Sequence, residues 1–92
     1  MSIEKSVEIK NRTGLHARPA AQFVQKAGQF ESKINIIHDG KEVNAKSIMG
    51  VMSLGVGKGN KITIKAEGSD SKEAVQELID FVEIEMMKED EG

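Results

Sequence analysis

A chain of 92 residues, 38% apolar and 30% charged, has the scale of one soluble domain with a modest core. It has no Cys, which excludes disulfides and thiolate metal sites, and no Trp or Tyr for base stacking; with a net charge of −2, direct nucleic-acid binding is not expected. No run approaches the roughly 18 apolar residues of a membrane span, and Met1 to Ser6 lacks the apolar centre of a signal peptide, so the expected address is cytoplasmic, without membrane insertion.

Ile3, Val7 and Ile9 share a parity that only Lys5 breaks, with Glu4, Ser6, Glu8 and Lys10 on the other face. That pattern predicts a half-buried strand from Ile3 to Lys10. Asn11 to Gly14 forms the loop, and Gly14 can take positive φ. Ala20, Phe23, Val24 and Ala27 then mark one apolar stripe of a helix over Ala17 to Ala27, stopped by Gly28. Pro19 suits its first turn, where a missing N–H costs little.

The strand-to-helix junction reads Gly14-Leu15-His16-Ala17-Arg18-Pro19. A helix start offers unpaired N–H groups and the positive end of the macrodipole, which together favour anions. Arg18 adds a planar cationic fork suited to phosphate, and His16 adds a nucleophilic imidazole. Two readings fit these six residues: a polar helix cap, or a site that takes a phosphoryl group onto the ring.

Ser32 to His38 alternates through Ile34 and Ile36, and Lys41 to Ala45 returns around Val43. Between them Asp39-Gly40 is a pair favoured by two-residue type I′ hairpins. His38 reads as a polar residue at a strand end, since it has no partner histidine or carboxylate pattern that suggests a metal. Ser47 is a natural N-cap for a short helix, Ile48 to Leu54. Two turns are too few to bury Ile48, Met49, Val51, Met52 and Leu54 together. Part of this group should stay exposed, either as a margin of the core or as a docking surface. Gly55, Gly57 and Gly59 read as a tightly bending loop, not as a dinucleotide fingerprint.

Ile62, Ile64 and Ala66 alternate with Thr63 and Lys65 in a fourth strand. Asp70 with Glu73 predicts a capping-box start. Val75, Leu78, Ile79, Val82 and Met86 mark the buried stripe of a long last helix. After residue 82, five acids face only Lys88, so the tail carries −4 and residues 1–82 carry +2. Carboxylates oppose the dipole at a helix C-terminus, so the stretch 83–92 is expected to fray. The order β-α-β-β-α-β-α predicts an α+β fold in one domain, 1–92, with helices on one face of a four-stranded antiparallel sheet.

Two stretches resemble the HPr family, the histidine-containing phosphocarriers of the bacterial phosphoenolpyruvate:sugar phosphotransferase system. Gly14-Leu15-His16-Ala17-Arg18-Pro19-Ala20 is similar to the family's phosphorylation motif, and Asn44 to Gly55 to its regulatory serine motif. The resemblance spans essentially the whole chain. It implies an open-faced β-sandwich with three helices on one side; no constellation of metal ligands is evident, and no cofactor or metal is expected. It implies that His16 is phosphorylated at Nδ1 by Enzyme I, with phosphoenolpyruvate as donor, and passes the phosphate to IIA domains of sugar permeases. Arg18 would stabilise the phosphate. Ser47 would be the target of HPr kinase/phosphorylase, and the seryl-phosphorylated form would join the catabolite control repressor. Ala20, Ile48, Met49, Met52 and Leu54 would meet partners. Such a protein carries a covalent intermediate but is not itself an enzyme. The related Crh proteins share the serine motif but carry Gln where this chain has His16; a Crh-like regulator acting through Ser47 alone is the alternative.

Overall fold

Strand β1 (Ser2–Glu8) opens the chain in the computed structural model, which describes residues 2–91. It is followed by α1 (Ala17–Ala27), β2 (Lys33–His38), β3 (Lys41–Asn44), α2 (Ile48–Ser53), β4 (Lys61–Glu67) and α3 (Ser71–Asp80). A five-residue π segment, Phe81–Glu85, joins α3 to α4 (Met86–Glu91), so the last helix is one body with a widened turn. The N–H of Met86 reaches back five residues to the carbonyl of Phe81, which defines that turn. The fraying expected of the acidic end falls partly on Gly92, outside the described residues; the described backbone is helical through Glu91.

The sheet order is β1-β4-β2-β3, and every pairing is antiparallel. Register follows the apolar alternation. Val7 faces Ile62, Ile3 faces Ala66, and Ile36 lies between Ile64 and Val43. A slip of one residue would turn all of these toward water. Pairing continues past β1 through Ile9, whose N–H donates to the Asn60 carbonyl at 2.8 Å and whose carbonyl accepts from Gly59 at 2.7 Å. The helices cover the apolar face. Phe23, Ile34, Ile62, Ile64, Leu78 and Met86 are fully buried, and Phe23 meets Phe81 edge-on with centroids 6.0 Å apart. Such a ring pair adds about 0.5–1.5 kcal/mol beyond burial and clamps α1 to the last helix.

The hairpin turn forms as the sequence predicts. Asp39 has φ 51° and Gly40 φ 80°, the two positive angles a type I′ turn requires. His38 is half-buried, its Nδ1 3.2 Å from the Lys61 carbonyl.

The capping box at Asp70 does not form. Asp70 is the N-cap residue of α3, yet its side chain makes no cap bond. Its carboxylate instead accepts from the Glu31 and Ser32 amides, both at 2.9 Å, and from the Ser32 hydroxyl. Three donors from the turn before β2 outcompete the two-donor geometry of a helix start. They hold the Asp70 carboxyl below the usual carboxylate range, the Ser32 hydroxyl contributing most and the Glu31 amide next.

Candidate functional site

The β1–α1 loop is built from its backbone. Gly14 has φ 63° and packs so closely on the loop after α2 that an added Cβ would collide with the Val56 carbonyl and lie 2.7 Å from the Gly57 Cα. Next to it the Leu15 N–H donates to the Val56 carbonyl at 3.1 Å, and the Leu15 side chain is buried. Asn11, also buried, donates from Nδ2 to the Gly14 carbonyl at 3.0 Å and to the Thr13 hydroxyl at 3.4 Å. Its Oδ1 is buried with no hydrogen-bond partner. The segment ahead of His16 is therefore pinned at both ends.

His16 emerges from this base as the N-cap residue of α1, with extended backbone (φ −114°, ψ 160°). Its side chain is exposed and makes no cap bond. The polar-cap reading of His16 thus lacks its defining contact. The first intrahelical bond runs from Ala20 N–H to the His16 carbonyl at 3.1 Å. The first-turn amides before it lie outside the helical ladder, at the positive end of an eleven-residue helix. Arg18 is exposed in that first turn, and Pro19 is buried beneath it. Ala17, between the two candidate side chains, sits at φ 20°, outside the wells L residues favour. The arrangement presents an unspent imidazole and a guanidinium at an anion-favouring helix start. Nucleophilic attack on phosphorus and neutralisation of the resulting phosphate are within its chemistry.

Ser47 caps α2 as its sequence predicts, its Oγ accepting from the Gly50 N–H at 3.1 Å. Lys46 beside it donates from Nζ to the Phe30 carbonyl at 2.7 Å. Since α1 packs on α2, the His16 and Ser47 motifs share the helical layer. The apolar group of α2 divides as its length requires. Val51 and Leu54 are buried, whereas Ile48, Met49 and Met52 are 44%, 82% and 37% exposed. Ala20 and Leu54, expected to meet partners, instead face the core at 0% and 8% exposure. Both belong to the hydrophobic core, Ala20 on the buried stripe of α1 and Leu54 just past the end of α2.

Sequence reasoning missed the supports, Asn11 and Val56. Their contacts join residues far apart or hidden in a loop, and the glycines at 55, 57 and 59 signal only a tight bend in the sequence, not the packing of that loop on Gly14. Among the described residues no cluster of His, Cys, Asp and Glu could hold a metal, and no helix is long and apolar enough to cross a membrane.

Residues 3–83 match the family model for the PTS HPr component phosphorylation site. The HPr-like protein Crh of Halalkalibacterium halodurans is 59% identical over 83 residues, 90% of this chain and 99% of that protein. The crystal structure of HPr-C-His from Thermoanaerobacter tengcongensis superposes with a TM-score of 0.89 at 55% identity, covering 94% of this chain and 96% of that one. A phosphocarrier protein HPr from Bacillus anthracis gives a TM-score of 0.86 at 53% identity, covering 88% and 96%.

Proposed function

The chain belongs to the HPr family of phosphocarriers, and from that premise we propose that it accepts a phosphoryl group on His16 from Enzyme I and delivers it to IIA domains of sugar permeases in the cytoplasm. The observation that carries this reading is the exposed His16 ring at the start of α1, with no cap bond to occupy it. The Nδ1 lone pair attacks phosphorus, the bond to the donor breaks, and a phosphoramidate forms on the ring. Arg18 and the first-turn amides offset the charge of the bound phosphate. The acceptor's nucleophile then attacks phosphorus, the P–Nδ1 bond breaks, and its electron pair returns to the ring, freeing His16 for another cycle. Members of this family are carriers, and the partners' own sites supply the remaining chemistry.

Regulation enters at Ser47. A phosphate placed there by HPr kinase/phosphorylase adds roughly −1.5 to −2 charge at the edge of Ile48, Met49 and Met52. Docking of Enzyme I over that patch then meets repulsion and the cost of desolvating a dianion. The same phosphate forms part of the surface offered to the catabolite control repressor.

The test is incubation with phosphoenolpyruvate and Enzyme I. Acid-labile phosphate should appear on His16 and vanish in His16→Gln, with the fold unchanged by circular dichroism. Labelling of His16→Gln at the normal rate would refute the assignment. The 59% identity to a Crh protein favours one further reading, a regulator acting through Ser47 alone. That reading predicts ATP-dependent labelling of Ser47 by the kinase and no transfer from Enzyme I.

A further inference from the structure

We propose that Met49, with Met52 behind it, is a reversible oxidation site whose sulfoxide weakens docking at the α2 patch, an inference that rests on reading that patch as the Enzyme I surface. The chain has neither Cys nor Trp, so methionine thioethers are its side chains most open to a hydroperoxide. Their accessibility is sharply graded. Met49 is 82% exposed and Met52 37%, Met87 is half-buried, and Met86 is 0% exposed in the core. Positions 49 and 52 are three apart on one helix, so both sulfurs lie on one face, beside Ile48. Ser47 caps the same helix. One short element thus carries a phosphorylatable hydroxyl and the most exposed methionine among the described residues.

The chemistry balances without any group from the chain. The peroxide O–O bond breaks and one oxygen passes to the thioether lone pair. Sulfur is oxidised by two electrons, and the peroxide is reduced to water. In the return step a dithiol gives two electrons and two protons, the sulfoxide oxygen leaves as water, and the dithiol becomes a disulfide. With no Cys in this chain, that dithiol belongs to an external thiol-dependent sulfoxide reductase. The product replaces an adaptable apolar side chain with a polar, chiral one. A partner that covers Met49 must then bury an S=O dipole, and the hydroxyl nearest it along α2, Ser53 one turn on, already donates to the Gly50 carbonyl at 2.6 Å.

The experiment uses the intact protein treated with hydrogen peroxide, quenched with catalase, and mapped by peptide mass spectrometry over time. Among the methionines of the described residues, Met49 should oxidise first, Met52 next and Met86 last. Phosphorylation by Enzyme I is then measured over a range of carrier concentrations. Oxidation should raise the apparent KM for the carrier about tenfold, within the range for burying an unpaired polar oxygen, and leave kcat nearly unchanged. Methionine sulfoxide reductase should restore the original KM. In a Met49→Leu/Met52→Leu variant, treated and untreated samples should differ little from each other. Equal oxidation rates at Met86 and Met49 would overturn the proposal. So would an unchanged KM with Met49 fully oxidised, or an equal loss on treatment in the double variant. If untreated protein takes no phosphate from Enzyme I, the carrier reading fails and this inference falls with it.

Discussion

Replacing Gly14 by Ala tests how the loop before His16 is held. Two costs combine. An L residue forced to φ 63° costs about 1–2 kcal/mol. The new Cβ would also strike the Val56 carbonyl and the Gly57 Cα, both backbone atoms that no rotamer change moves aside. Relief requires the two loops to separate, which strains the Leu15–Val56 hydrogen bond, worth about 0.5–1.5 kcal/mol. The expected loss is about 1.5–3.5 kcal/mol in all. Gly40→Ala is the matched control. It has φ 80° but nothing within 4 Å of the added Cβ, so it should lose only the conformational part, about 1–2 kcal/mol. Urea unfolding of the wild type and both variants gives the difference from the midpoint at constant m. Below the transition, Gly14→Ala should also be phosphorylated more slowly, because the displaced segment carries His16, whereas Gly40→Ala should match the wild type. Equal destabilisation at the two glycines would refute the argument, since it would leave no contribution from the contact with Val56 and Gly57.

Arg18→Ala should slow phosphoryl exchange by about tenfold or more, equivalent to about 1.4 kcal/mol of barrier; Arg18→Lys should recover only part of the rate, and stopped-flow exchange with phosphorylated Enzyme I measures both. Ser47→Ala should lose about 1 kcal/mol of stability with the Gly50 cap bond, while Ser47→Asp keeps a capping oxygen and should unfold at nearly the wild-type urea midpoint. Asp70, whose carboxyl is held below its usual range, binds fewer protons folded than unfolded near pH 4, so its contribution is complete above an ordinary pKa of about 3.9 and is lost as pH falls through the lowered folded value. The stability gap between wild type and Asp70→Ala should therefore be constant at neutral pH and narrow in acid, as thermal melts over a pH series would reveal; a gap that widens in acid would contradict the assigned contacts.

Local chemistry was legible in the sequence wherever a few consecutive residues decide the conformation. Helix α1 runs from Ala17 to Ala27 as its apolar spacing and Gly28 dictate, the Asp39-Gly40 turn has both positive φ angles, and Ser47 caps α2. The site motif is local too, since His16 and Arg18 need only the helix start between them. Tertiary structure decided what depends on distant neighbours. Asp70 has the sequence of a helix cap, but folding brings it to the Glu31–Ser32 amides, 38 and 39 residues away, which offer its carboxylate better partners than its own helix does. Ala20 and Leu54 carry apolar side chains in the two motifs, and packing of the helical layer buries both, so only Ile48, Met49 and Met52 of the expected partner set remain exposed. The π segment at Phe81–Glu85 leaves no trace in a stripe that reads as continuous helix. Nor does the apolar alternation specify that β4 lies between β1 and β2. Each strand's alternation tells which face is buried, but its partner is set by long-range packing of the helices on that face.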